Sequence, residues 1–175
     1  MGIKSLCENI SADIEINSAA SRNYKIIFFL LLFRLSSFFA TNDFFVLRLL
    51  GVPIRIIYRL IAEFLYGIEL SDKCIVGPGL RIDHGTALVV NPRTIIGLGV
   101  TLKNSTTIGN KMYRNGSLGG SPIIEDGVIV GPNVVIFGEI TIGKNSIVGP
   151  GTVVNRDVPP FSIVYGNPMT IKGRY

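Results

Sequence analysis

PIIEDGVIVGPNVVIFGEITIGKNSIVGPGTVV, residues 122–154, keeps a beat of six. Its aliphatic positions are Ile124, Val130, Ile136, Ile142, Val148 and Val154, and glycine follows at Gly131, Gly143 and Gly149. Four positions after each beat stands a small or branched residue: Val128, Val134, Ile140, Ser146, Thr152 and Val158. A helix repeats its apolar residues every three or four positions and a simple strand every second one. Six residues make one short strand and one bend, with Gly, Pro and Asn supplying the bend. Three such sides close a triangular coil of about 18 residues, whose aliphatics are buried on the coils above and below. Successive coils then lie about 4.8 Å apart, as neighbouring strands do.

The beat extends upstream to Val76 and Ile82, and then to Val90, Ile96, Leu102 and Ile108. Twelve positions predict about four coils. Two intervals break the rhythm. Ile82 to Val90 is eight residues, with Asp83-His84-Gly85 at its start, and His84 is the single histidine of the chain. Ile108 to Ile124 is sixteen, the excess lying in NKMYRNGSLGGSP, residues 110–122. Excursions from a rigid scaffold are where function concentrates.

The first part of the chain has another texture. Residues 22–68 read as helical and are crowded with large apolar side chains. Thr41-Asn42-Asp43 predicts a helix start, and Gly51 and Pro53 a break before a last helix ending near Gly67. Arg22, Lys25, Arg34, Arg48, Arg55 and Arg59 face one acid, Asp43, across residues 22–60. Two readings follow: a cap packed on the second half or on a sister subunit, or a basic, apolar face lying on a membrane. The run at 26–33 ends at Arg34 after eight residues, where a spanning helix needs about 20. Residues 1–20 contain Glu8, Asp13 and Glu15 and lack the apolar core of a secretory signal. The expected organisation is a helical segment at 1–68, a β domain at 69–158 with its excursion at 110–122, and a tail at 159–175.

The 175 residues carry a net charge of +5 and are 47% hydrophobic, which excludes disorder and favours anionic partners. A phosphorylated cofactor or an acidic membrane surface fits that charge; no nucleic-acid partner is expected. Cys7 and Cys74 are too few for a disulfide framework, so a reducing, cytoplasmic setting is expected, peripheral to the membrane if the basic face is used. One histidine and two distant cysteines argue against a metal site.

The period, IDHGTALVVN at 82–91, VTLKNSTTIGN at 100–110, the excursion and the Gly166-Asn167-Pro168 tail together resemble the hexapeptide-repeat acyltransferases. The resemblance covers roughly residues 66–175. Within that group the chain is similar to serine acetyltransferases and to short polysaccharide O-acetyltransferases. It implies a mainly β fold, a left-handed parallel β-helix with a small N-terminal helical segment. It also implies acetyl-CoA as co-substrate and a homotrimer with active sites between subunits.

By the same resemblance His84 is the base that deprotonates the acceptor hydroxyl, and Glu69, fifteen residues earlier, is its acidic partner. An alcohol needs a base as it attacks, and imidazole titrates in the right range. A carboxylate on the other ring nitrogen fixes the tautomer. Asp83 and Arg114 are the acceptor-binding candidates. Asn110, Gly131, Pro132, Gly149, Pro150, Lys172 and Arg174 are the coenzyme candidates. Pro132 and Pro150 replace the alanines usual in serine acetyltransferases and have no N–H to donate, so a backbone donor must come from a neighbouring residue.

The chain departs from serine acetyltransferases in two places. Gly120-Ser121 stands where those enzymes have an Arg-His pair, and only about 66 residues precede the β domain, where theirs is much longer. The expected acceptor is therefore a sugar hydroxyl of a surface polysaccharide, free or lipid-linked. L-Serine is the alternative, and a non-catalytic trimeric scaffold a further one. A γ-type carbonic anhydrase shares the fold but requires several zinc-binding histidines.

Overall fold

A computed structural model describes residues 2–21 and 23–173. Four helices come first: α1 (Ile3–Ser21), α2 (Tyr24–Ala40), α3 (Phe45–Leu50) and α4 (Val52–Leu60). A π-helical turn, Ile61–Tyr66, closes on Gly67 at φ 61°, a left-handed cap that suits glycine. The break at Gly51 and the end at Gly67 fall where the sequence placed them. α1 lies inside the helical segment expected at 1–68, ahead of the stretch at 22–68 whose apolar texture was read as helical. α3 begins at Phe45 instead of at the Thr41–Asp43 cluster, because the Asn42 side chain accepts from the Phe44 N–H and turns the chain first.

Five coils follow. The first is β1 (Ile68–Leu70), β2 (Ile75–Val76) and β3 (Arg81–Asp83). The second is β4 (Leu88–Val90), β5 (Ile95–Ile96) and β6 (Thr101–Lys103). The third is β7 (Thr107–Gly109), β8 (Ile123–Ile124) and β9 (Ile129–Val130). The fourth is β10 (Val135–Phe137), β11 (Thr141–Ile142) and β12 (Ile147–Val148). The fifth holds β13 (Val153–Val154), a bridge from Val158 to Ile142, and β14 (Ser162–Tyr165); β15 (Thr170–Gly173) then turns back antiparallel along β14. The sequence count of four coils omitted β1, the side at Val158 and β14, which lie outside the twelve beats it used. β14 carries the prism past residue 158.

The strands make three parallel faces: β1-β4-β7-β10-β13, β2-β5-β8-β11, and β3-β6-β9-β12-β14. Register shows how the intervals are absorbed. Val130 pairs with Val148, an 18-residue coil. Ile82 pairs with Leu102, a coil two residues longer, and Ile96 pairs with Ile124, a coil ten residues longer. The additional residues leave the wall, and the beat resumes in phase. All twelve beats are buried in one core. At Gly77 a Cβ would lie 2.7 Å from the Gly97 carbonyl carbon, so the bend there admits only glycine without moving the next coil.

The end coils of a solenoid expose unpaired backbone groups. At the first coil the helices supply side chains to them. Arg34 donates to the carbonyls of Val76 (2.7 Å) and Gly77 (2.6 Å) and forms a two-pronged ion pair with Asp13 (2.7 and 3.0 Å). The Leu80 N–H donates to Asp13, Asn17 donates to the Leu80 carbonyl, and Tyr58 donates to the Leu70 carbonyl. At the other end Asn167 accepts from the Val153 N–H and donates to the Gly151 carbonyl.

Candidate active site

The three edges of the prism are chemically different. His84, Gly131-Pro132 and Gly149-Pro150 share the edge between the third face and the first; the excursion leaves from the edge between the first face and the second. On the histidine edge each ordinary bend has one left-handed residue three positions after its beat: Ser105 (φ 56°), Asn133 (58°) and Gly151 (68°). Ala87 (57°) is the equivalent residue in the longer bend. His84 at φ 60° is a second left-handed residue there, two positions after Ile82. A non-glycine residue in this region is uncommon, and such strain clusters at functional sites. The two additional residues thus turn the imidazole out of the wall, and the Thr86 N–H donates to the His84 carbonyl to hold the bend.

His84 is exposed and lines a cavity of about 540 Å³ with Gly85, Thr86, Asn23, Lys25, Ile26, Leu65 and Tyr66. Half of this lining comes from the helices. Tyr66 donates to the Lys25 carbonyl (2.9 Å), and burial pushes its phenol pKa up, keeping it a donor. Sequence reasoning missed Asn23, Lys25 and Tyr66 as neighbours of His84, because no periodicity links a helix start to a bend 60 residues away. Among the described residues no carboxylate lines this cavity.

The other expected residues are placed as follows. Glu69 is exposed on β1, beside Val89 of β4, and lines a second cavity of about 440 Å³ with Arg55, Arg59 and Glu63. No hydrogen bond joins Glu69 to His84 in this structure, although Ala87 and Gly67 bind the two segments together at 2.8 Å. Asp83 faces outward on β3 with both oxygens engaged, by Arg81 at 2.9 and 3.2 Å and by Lys103 at 4.0 Å. The excursion is a hairpin: Met112 bridges Leu118, and the Tyr113–Gly116 turn places Arg114 exposed at the tip. Asn110 locks its base, donating to the Gly119 carbonyl and accepting from Ser121. Lys172 is exposed on β15, and Arg174 lies outside the described residues.

The backbone N–H groups of Gly131 and Gly149 are spent on the Val148 and Val164 carbonyls. Those of Asn133 and Gly151 are spent on Asn104 and Pro132. The neighbours expected to replace the missing proline donors are therefore already committed. The Gly131 and Pro132 carbonyls are likewise occupied, by the Thr106 hydroxyl and the Gly151 N–H. Among the described residues no cluster of three His, Cys, Asp or Glu side chains is suited to a metal ion.

The comparisons fit this arrangement. The bacterial transferase hexapeptide pattern (six repeats) matches residues 121–156. WcaB of Escherichia coli (strain K12), assigned as a colanic acid biosynthesis acetyltransferase, is 36% identical over 125 residues, 71% of this chain and 75% of that one. The chain belongs to the hexapeptide-repeat acetyltransferases. Serine acetyltransferase 2 of Arabidopsis thaliana is 36% identical over 106 residues, but these are 61% of this acetyltransferase and 32% of the plant enzyme. Soybean serine acetyltransferase complexed with serine superposes with a TM-score of 0.80 at 26% identity, over 97% of this chain and 70% of that one. The fold is the left-handed β-helix of these enzymes, and the protein is an acetyl-CoA-dependent O-acetyltransferase.

Proposed function

We propose that this acetyltransferase modifies a sugar hydroxyl in surface-polysaccharide biosynthesis, with His84 as general base. The observation that carries the choice of acceptor is Asp83. An amino-acid acceptor brings an ammonium group that needs a free carboxylate, and the carboxylate beside the base is already held by Arg81 and Lys103. Gly120-Ser121 adds no cation for an amino-acid carboxylate; Ser121 is tied to Asn91 and Asn110. The relationship to WcaB, whose name refers to colanic acid, supports the same reading.

In the proposed reaction His84 accepts the hydroxyl proton as the acceptor oxygen attacks the thioester. The C–O bond forms, the C–S bond breaks, and the proton passes to the departing sulfur. Glu69 is proposed as the positioning carboxylate, moving from its own cavity to the ring. Coenzyme is proposed to run along the edge of Gly131-Pro132 and Gly149-Pro150 toward Lys172. Asn110 and Arg114 lie on a different edge of the same prism, so a site that contains them with His84 is composed from two copies. A column of outward isoleucines on the second face, Ile75, Ile95 and Ile123, fits burial against such a copy in a trimer.

The test is CoA release with L-serine and with nucleotide- and lipid-linked sugars. A sugar substrate is expected to turn over; turnover with serine alone overturns the acceptor. His84→Ala is expected to lower kcat about 10²–10⁴-fold without changing the circular dichroism spectrum. Glu69→Gln is expected to lower kcat and shift the pH profile at unchanged KM, and an unaltered profile removes Glu69 from the mechanism.

A further inference from the structure

The helical cap is apolar on two faces. One face of α4 and the π-helical turn packs inward through Tyr58 and Ala62. The opposite face is also hydrocarbon, with Ile56, Ile57 and Leu60 at least half exposed and Phe64 at 79%. α3 has no buried residue, and its start leaves Phe44 and Phe45 at 73% and 74%. An apolar helix face is normally packed against another element, and exposed large apolar residues grouped in this way mark an interaction surface.

The sequence offers residues 22–60 as a whole as a lipid-facing segment. The structure narrows this. α2 turns Ile26, Phe29, Leu30 and Phe33 into the core, and its Arg34 is buried against Asp13. Tyr24, Phe28 and Leu35 stay exposed on α2, but the largest group of exposed apolar residues lies between Phe44 and Leu65. Three observations select its occupant. Arg48 and Arg59 flank the apolar residues, Lys25 stands at the neighbouring cavity, and the whole chain is cationic. Among the described residues no helix is long and apolar enough to cross a bilayer, so the face suits lying on one. Leu65, 77% exposed, belongs to the face and also lines the cavity of His84.

We infer that the Phe44–Leu65 face docks on an anionic lipid leaflet and holds the mouth of the His84 cavity against it. The acceptor is then a sugar carried on a lipid, with its hydroxyl at His84. This second statement rests on the function proposed above; the docking does not.

The experiment is co-sedimentation of the full chain with phosphatidylglycerol/phosphatidylethanolamine vesicles and with phosphatidylcholine vesicles. Light scattering gives the assembly mass in parallel. The wild-type protein is expected to bind the anionic vesicles at least about tenfold more tightly than the neutral ones. Phe45→Asp with Leu49→Asp is expected to abolish binding at unchanged assembly mass, with CoA release from a water-soluble sugar acceptor retained. Retained binding in this variant overturns the docking surface, as does absence of vesicle binding by the wild type. A fall in assembly mass also overturns it, assigning the face to a second copy. Vesicle binding without transfer to any sugar leaves the docking standing and overturns the acceptor.

Discussion

The cap and the prism are held by different means. The prism is stacked aliphatic on aliphatic, each beat against the same position one coil away, with glycines where backbones touch. The cap meets the prism both through apolar side chains that join the prism's core, Phe29, Leu30, Phe33 and Tyr58 among them, and through a buried polar network centred on Asp13 and Arg34, and it keeps much of its remaining hydrocarbon outside. Periodic burial tolerates insertions, since the wall recovers its phase after a bend of any length. A polar joint is all or nothing, because every group in it has left water and depends on its partners.

Breaking the joint should have the largest effect. Arg34→Ala leaves a buried Asp13 without its cation and two backbone carbonyls without their donor, and about 3–5 kcal/mol of stability should be lost in urea denaturation. Replacing the pair together, Arg34→Met with Asp13→Leu, should still leave the protein destabilised. The Val76 and Gly77 carbonyls and the Leu80 N–H remain unpaired in that variant. A fully stable double variant would show that the joint is dispensable. Cys74 reports on the same region: burial pushes its thiol pKa to about 12, so at pH 8 it stays protonated and should resist maleimide while exposed Cys7 reacts. Faster labelling of Cys74 in the Arg34→Ala variant would mark an opened cap.

A smaller loss is expected within the prism. Gly77→Ala places a methyl against the Gly97 backbone and should cost about 1–3 kcal/mol, read as a lower urea midpoint at constant slope. The smallest effects come from two buried threonines that differ in one bond. The Thr106 hydroxyl donates to the Gly131 carbonyl, whereas the Thr152 hydroxyl has no partner among the described residues. Thr106→Val should cost about 0.5–1.5 kcal/mol and Thr152→Val should be neutral or stabilising. Equal losses at both sites would mean that packing, not hydrogen bonding, sets these positions.

The same contrast explains what could be read from the chain. The prism was legible because each beat repeats one physical task, and the two intervals that departed from six mapped onto the longer bend and the hairpin. His84 stood out because it is a lone imidazole at the first of those breaks. Its cavity was not legible. Asn23, Lys25 and Tyr66 reach it through helix packing, which leaves no periodic trace. The engagement of Asp83 by Lys103 was hidden for a different reason: the two meet only because a 20-residue coil brings β6 beside β3.

The Asn167 side chain has a consequence beyond its own two hydrogen bonds. A stack of parallel coils is a template, and an open template recruits the next matching segment, as the tip of a fibril does. Asn167 fills the last rung of the first face with an amide, β15 lies antiparallel across the third, and Arg34 and Tyr58 occupy the opposite end. The chain thus carries its own chain terminators. Its length is written by sequence and not by concentration, and a protein built like a filament stays five coils long.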